Sequence, residues 1–247
     1  MSPELQADDY QPPPIRTARI VDTVTEYLRN LILDDKLVPG TILLQTEWAE
    51  KLGISRTPLR EAFRLLENDG LVRVSNGNRT VEVIQYTADD LRELYELREM
   101  IDGLAARLLT VHGAPASVLD ELASLLAAMD AAGDPFRPSA WFAAHTAFHV
   151  CIASHCGNMR VQSLLSVVRA TSMALHSAMV RHSDADQGDL SDVLRVGHDQ
   201  HYAIYEAICA GQGDKAERAA RRHITSTLKS DLIRRATQAS PQLQVAK

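Results

Sequence analysis

Two histidines, His145 and His149, stand four residues apart in the stretch SAWFAAHTAFHVCIASHCGN. On a helix that spacing sends both imidazoles from one face, so one cation can take a nitrogen from each. Hydrolytic zinc helices carry HExxH, with the glutamate as general base, but the glutamate position is Thr146 here. The pair is therefore either an accident of a core helix or a metal-binding pair without hydrolytic chemistry. A second set of residues supports different chemistry. Arg56, Arg60 and Arg64 recur at every fourth position and share one helical face. Guanidinium groups in such a row contact phosphates or grip guanine edges in a major groove.

Both sets need elements to hold them. Ile20, Val24, Leu28, Leu31 and Ile32 follow a helical period over 17–35, and Pro39-Gly40 ends that unit. QTEWAEKL reads as a short helix with Trp48, Ala49 and Leu52 inward, broken by Gly53. A second helix begins at SRTP, where Ser55 or Thr57 caps and Pro58 suits the first turn. It buries Leu59, Phe63 and Leu66 and stops at Gly70. Val72 and Val74, then Val81 and Val83, alternate with polar residues on either side of Asn76-Gly77, which predicts a hairpin.

After Tyr86 the character changes. Thr87-Ala88-Asp89-Asp90 has the form of a capping box. Helical stretches follow over 88–111, 115–131, 138–156, 158–182, 190–211 and 214–238. The expected fold class is mostly α, an N-terminal winged helix-turn-helix plus a C-terminal antiparallel bundle of six or seven helices. The expected division is a tail over 1–15, a winged-helix DNA-binding domain over 16–86, a helical effector-binding and dimerisation domain over 87–239, and a tail over 240–247.

Composition narrows the classes. Hydrophobic residues form 45% of the 247, enough for a full core. No apolar run is long enough to span a membrane. The acidic, proline-rich MSPELQADDYQPPPIR lacks the marks of a signal peptide, so a cytoplasmic location is expected. Cys151, Cys156 and Cys209 form no CxxC pair and fit reduced thiols. The net charge of −6 speaks against nucleic acid only as a sum. Between Lys51 and Arg79 the balance is basic: Lys51, Arg56, Arg60, Arg64, Arg73 and Arg79 face Glu61, Glu67 and Asp69.

The segment PGTILLQTEWAEKLGISRTPLREAFRLLENDGLVRV resembles the N-terminal winged helix of GntR-type bacterial transcription regulators, chiefly through its LG-[VI]-SRTP-[VL]-REA core. The resemblance implies contacts to double-stranded operator DNA by Ser55, Arg56, Thr57 and Arg60 on the recognition helix, and by Asn76 and Gly77 in the wing. Arg64 on the same helix face and Arg79 beside the wing tip join that set. Thr46 stands where many relatives carry Arg or Glu.

The helical half resembles the effector domain of the FadR branch, through LRELYELREMID, FHVCIASHCGN and HYAIYEAICAGQGDKAERAARRH. Many members of that branch hold a divalent metal with an Asp four residues before a His, plus two later histidines. The matching positions here are His149, His201 and His223, with His145 in place of the Asp. An all-imidazole set suits zinc, nickel or copper better than calcium or magnesium, and zinc or nickel is expected. His145 is either a ligand or a neutral donor facing the pocket, with His198 as a substitute. His112, His155, His176 and His182 are read as surface or packing residues, and Tyr95 as core. Arg98 matches an arginine that faces the family's ligand cavity; its other reading is an ion pair with Asp102. Asn158 either lines the pocket or marks a helix break at Gly157-Asn158.

Together the two resemblances imply a metabolite-responsive transcription regulator that acts as a homodimer and takes a small organic carboxylate as effector. A repressor is expected, because an effector that rearranges a dimer more easily spoils a fixed half-site spacing than improves it. The rival readings are a metal-dependent enzyme built on the helical half and a metal-free DNA-binding scaffold.

Overall fold

An apolar residue at every third or fourth position makes Thr17–Leu33 a helix, α1. Its buried side, Val24, Leu28 and Ile32, packs into one core with the helices that follow, while Ile20 stays exposed. The computed structural model describes residues 17–33, 36–75, 80–182 and 187–229. The expected tails over 1–15 and 240–247, the end of the last helix beyond Lys229, and the wing residues Asn76, Gly77 and Arg79 lie outside those residues.

The helix-turn-helix is α2 (Gln45–Leu52) and α3 (Arg56–Asn68). Gly53 adopts φ 64° at the end of α2 and turns the chain. Ser55 occupies the N-cap position of α3 with extended backbone but makes no side-chain cap hydrogen bond. Pro58 sits in the first turn, where a missing N–H costs nothing. Leu59, Ala62, Phe63 and Leu66 form the inner stripe of α3 and are fully buried. Trp48 and Ala49 of α2 are buried as expected, and Leu52 is half-buried.

The hairpin forms from β2 (Val72–Ser75) and β3 (Thr80–Val83), antiparallel, with Val74 opposite Val81. A third strand, β1 (Ile42–Leu44), adds to the far edge of β3, giving the order β1-β3-β2. Strand β1 has no counterpart among the elements expected from the sequence. Three residues carry no legible alternation, and only Leu43 is buried; pairing with β3 creates the strand.

The helical half begins at α4 (Ala88–His112) with the expected capping box. The Thr87 hydroxyl accepts from the Asp90 N–H at 3.1 Å, and the Thr87 N–H donates to the Asp90 carboxylate at 2.9 Å. Then come α5 (Ala116–Gly133), α6 (Pro138–His155), α7 (Met159–Gln162), α8 (Leu165–His182), α9 (Gln187–Cys209) and α10 (Gly213–Lys229). The expected single helix over 158–182 is two, because α7 is a short turn capped by Asn158 and closed at Ser163. Helix α10 runs along α4 and α9; α6 lies between α5 and α8 and also touches α4. No helix among the described residues is long and apolar enough to cross a membrane.

Helix α8 also carries the winged helix. His176 donates from Nε2 to the Leu33 carbonyl at 2.7 Å. Asp69 accepts from Arg29 at 2.6 Å and lies 3.6 Å from Arg169. At Gly70, φ is +72°, and a Cβ there would stand 2.9 Å from the Ala170 Cβ. Gly53 shares the positive φ, at +64°, but a Cβ there would meet nothing within 4 Å. Alanine at Gly53 therefore carries only the left-handed backbone cost, about 1 kcal/mol. Alanine at Gly70 adds overpacking against α8, for a total of roughly 2 kcal/mol or more. Urea unfolding of the two variants checks this: the midpoint should fall further for Gly70→Ala than for Gly53→Ala.

Candidate metal centre and nucleic-acid interface

Helix α6 is apolar on most of its surface and buries Trp141, Phe142, Phe148 and Ile152. His145 and His149 are the exceptions in its interior, 1% and 3% exposed. The four-residue spacing puts them on one side of α6, their rings 4.8 Å apart. Opposite them, α9 supplies His201 and α10 supplies His223, both buried. One nitrogen from each of the four lies within 4.8 Å of the others. His149 Nε2 and His201 Nε2 approach to 3.2 Å. In tetrahedral coordination, bonds of about 2.0–2.1 Å put neighbouring nitrogens roughly 3.3 Å apart. The His149–His201 pair is already at that spacing, and the four nitrogens together span no more than 4.8 Å.

Two of the outer nitrogens are also held. His149 donates from Nδ1 to Asp102 Oδ2 at 3.0 Å, which leaves the Nε2 lone pair facing the cluster. His223 Nδ1 meets Gln200 Oε1 at 3.0 Å. Gln200 is fixed in turn by the Ser226 hydroxyl at 2.9 Å. Such partners set the tautomer and aim of a coordinating imidazole. Trp141 stacks flat on His145 at 4.9 Å and confines that ring.

Burial is the main force on the titration of the four. It drives His145, His201 and His223 well below the usual histidine value, aided by the other imidazoles and by Arg98. His149 is lowered less, because burial and Arg98 act against the Asp102 carboxylate. Burial pushes Asp102 up, but Arg98 and His149 outweigh it and hold the carboxyl below its ordinary value. The result is a nest of neutral imidazoles with lone pairs available, the state a metal ion requires.

Arg98, on α4, is 1% exposed. It donates from Nε to Asp102 at 3.3 Å and from Nη1 to the Thr171 hydroxyl at 2.9 Å. Both readings of Arg98 thus coincide in space: it pairs with Asp102, and it stands beside the imidazoles. Its Nη2, Asp102 Oδ1, His145 Nδ1 and His201 Nδ1 are buried without hydrogen-bond partners among the described residues. Such groups cost about 1–3 kcal/mol each when left unmet. Four of them around one histidine nest are more than a closed core tolerates.

Other candidates sit elsewhere. His198 pairs with Asp130 at 2.8 Å on the outside of α9, so it is no substitute for His201. His112 and His155 bond to backbone carbonyls at the surface, His176 holds α1, and the side chain of His182 lies outside the described residues. Asn158 accepts from the Arg160 and Val161 N–H groups, the helix-break role. Tyr95 is core. The sequence reading missed Thr171 and Gln200, whose hydroxyl and amide carry no spacing signal. It noted Asp102 only as a partner of Arg98; its grip on His149 needed the approach of α4 to α6.

On the winged helix, Ser55, Arg56, Thr57, Arg60 and Arg64 are all exposed along α3. Arg64 is tied to Glu61 at 2.8 Å. Arg56 and Arg60 have no ion-pair partner among the described residues. They lie outside the stripe of Leu59, Phe63 and Leu66 that faces the core.

An exposed arginine face on a winged helix, joined to a helical bundle with a buried histidine nest, is the architecture of a DNA-binding transcription regulator. Residues 20–81 match the family described as "Bacterial regulatory proteins, gntR family", and residues 93–226 match the FCD domain. The chain belongs to the gntR family, and its helical half is an FCD domain; the family consists of regulators rather than enzymes. It is 28% identical over 214 residues to the "Probable D-xylose utilization operon transcriptional repressor" of Paenarthrobacter nicotinovorans, covering 85% of this chain and 87% of that one. It is 37% identical over 81 residues to the "Uncharacterized HTH-type transcriptional regulator YdhC" of Bacillus subtilis, a match spanning 33% of this chain and only 36% of that protein. The solved structure of "E. coli McbR/YncC" shares the fold with a TM-score of 0.68 at 18% identity, covering 87% of this chain and 98% of that one.

The depressed histidines set a pH dependence. In the unfolded chain they take up protons near pH 6.5, while the folded, metal-stripped protein resists protonation until lower pH. The unfolded state therefore binds more protons below that value, and stability falls as pH falls. Chelator-treated protein should keep its melting temperature from pH 8 to about 7 and lose it progressively below about 6.5. Melting curves across that range check the sign.

Proposed function

We propose that the histidine nest binds a divalent metal and a small organic carboxylate, and that this binding controls the grip of the winged helix on operator DNA. The observation that carries the reading is the convergence of four buried, neutral imidazoles with Arg98, whose Nη2 has no partner. His145, His149, His201 and His223 would hold the ion, and zinc or nickel fits an all-nitrogen set. The ion would supply a fixed positive charge for the carboxylate, with Arg98 as a second anchor. Four neutral ligands leave the whole charge of the ion uncancelled in its first shell, which favours an anionic effector.

In this reading Ser55, Arg56, Thr57, Arg60 and Arg64 meet operator DNA, with Asn76, Gly77 and Arg79 from the wing. Residues 16–86 read DNA and 87–239 bind effector and pair two chains, since helix-turn-helix readers address two half-sites as dimers. The protein acts in the cytoplasm as a repressor that the effector releases. The Paenarthrobacter relative is named as a probable repressor, which supports repression.

Three outcomes are expected. Arg56→Ala or Arg60→Ala weakens operator binding by about 1–3 kcal/mol where the side chain reads a base; titration of labelled operator measures it, and two unaffected variants would remove the assignment. Chelation lowers the melting temperature and zinc restores it, by about 2.7 kcal/mol at a hundredfold excess over Kd. His149→Ala and His201→Ala abolish that response, whereas His145→Asp retains it. Asp102→Asn keeps the ligands but loses metal affinity by about 10–100-fold. A protein that holds no metal, and whose melting ignores zinc, nickel and manganese, ends the metal reading and leaves the DNA assignment standing.

A further inference from the structure

Helix α6 has two working faces. His145 and His149 look into the nest, while Thr146, Ala147 and Val150 border a different space. A cavity of about 410 Å³ lies between the winged helix and the bundle. That volume falls within the range of roughly 300–1,000 Å³ of small-molecule sites. Its walls are mostly apolar, with Leu33 and Leu71 from the DNA-binding half and Phe142, Ala147, Val150 and Met173 from the bundle.

Two buried polar residues border this space: His176, which donates to the Leu33 carbonyl, and Ser172. Ser172 is 1% exposed, lines the cavity, and its Oγ has no hydrogen-bond partner among the described residues. The charges at the edge cancel. Arg29 and Arg169 both lie against Asp69, at 2.6 and 3.6 Å, and Glu121 supplies the other carboxylate. A charged ligand would have to break the Arg29–Asp69 pair; an uncharged one leaves it intact and still satisfies Ser172.

We propose that this interdomain cavity is a second small-molecule site, separate from the histidine nest, for an uncharged and mainly apolar compound carrying one hydroxyl, carbonyl or amine that pairs with Ser172. Both halves build the walls, so an occupant bridges the winged helix and the bundle. The neighbouring Thr171 holds Arg98, so the same turn of α8 touches both sites. The site stands without the metal reading, because none of the lining residues named above is a candidate ligand.

The test uses the full chain and N-phenyl-1-naphthylamine, a neutral fluorophore that brightens in apolar surroundings and offers one N–H. The expected result is saturable binding of one probe per chain, unchanged by chelator. Ala147→Phe fills the cavity and should weaken probe binding at least tenfold while the zinc-dependent rise in melting temperature stays. Ser172→Ala, a change small enough to leave folding intact, should weaken it about two- to tenfold. Non-saturating emission overturns the proposal. So does unchanged affinity in Ser172→Ala, or in Ala147→Phe with its zinc response intact. If emission per chain falls as light scattering reports dimer formation, a second copy covers the cavity and the small-molecule assignment is wrong. Loss of the zinc response with retained probe binding would sink the metal reading alone.

Discussion

The 3.0 Å hydrogen bond from His149 to Asp102 is the contact on which the interior of the helical half depends. Four histidines can share a buried space only if they stay neutral, since two adjacent imidazolium ions in an apolar core would repel and lack solvation. Asp102 fixes one tautomer, and Gln200 does the same for His223. Asp102 is itself buried and remains ionised because Arg98 lies beside it. The chain thus places one ion pair behind a neutral nest. That is a costly arrangement unless something inside the nest uses it, because buried ion pairs rarely stabilise a fold more than apolar residues of the same shape.

The two halves are joined through helices with two faces. Helix α6 shows histidines to the nest and Ala147 to the interdomain cavity. Helix α8 gives Thr171 to Arg98 and, on its other side, Ala170 and His176 to the winged helix. Close-packed helices move as units rather than bending locally. A shift of α8 would therefore be felt at Gly70 and Leu33, where the DNA-reading helices are anchored. This is a route of contact; its coupling energy is a matter for titration of operator DNA against effector.

Much of this protein was legible in its sequence. The apolar period of α1, the SRTP start of α3, the Asn-Gly between two valine pairs and the Thr87 capping box are local signals, and local interactions alone decide them. The i, i+4 spacing of His145 and His149 likewise needs only helix geometry to put both rings on one face. The arginine row on α3 is exposed because the apolar stripe of the same helix must face inward, which the sequence also states.

What only the tertiary structure decided is every relation between elements distant in the chain. The strand at Ile42–Leu44 exists because β3 is there to pair with it. His201 joined the nest and His198 did not, although they are one turn apart, because the side of α9 that faces α6 is set by packing. Asp102 became a histidine partner, Thr171 an arginine partner, and Ser172 a lone hydroxyl in a cavity, all through the approach of α4, α6 and α8. A sequence fixes which face of a helix is apolar, because that depends on residues a few positions apart. It does not state which neighbour covers that face, because that depends on the volumes and angles of many side chains at once.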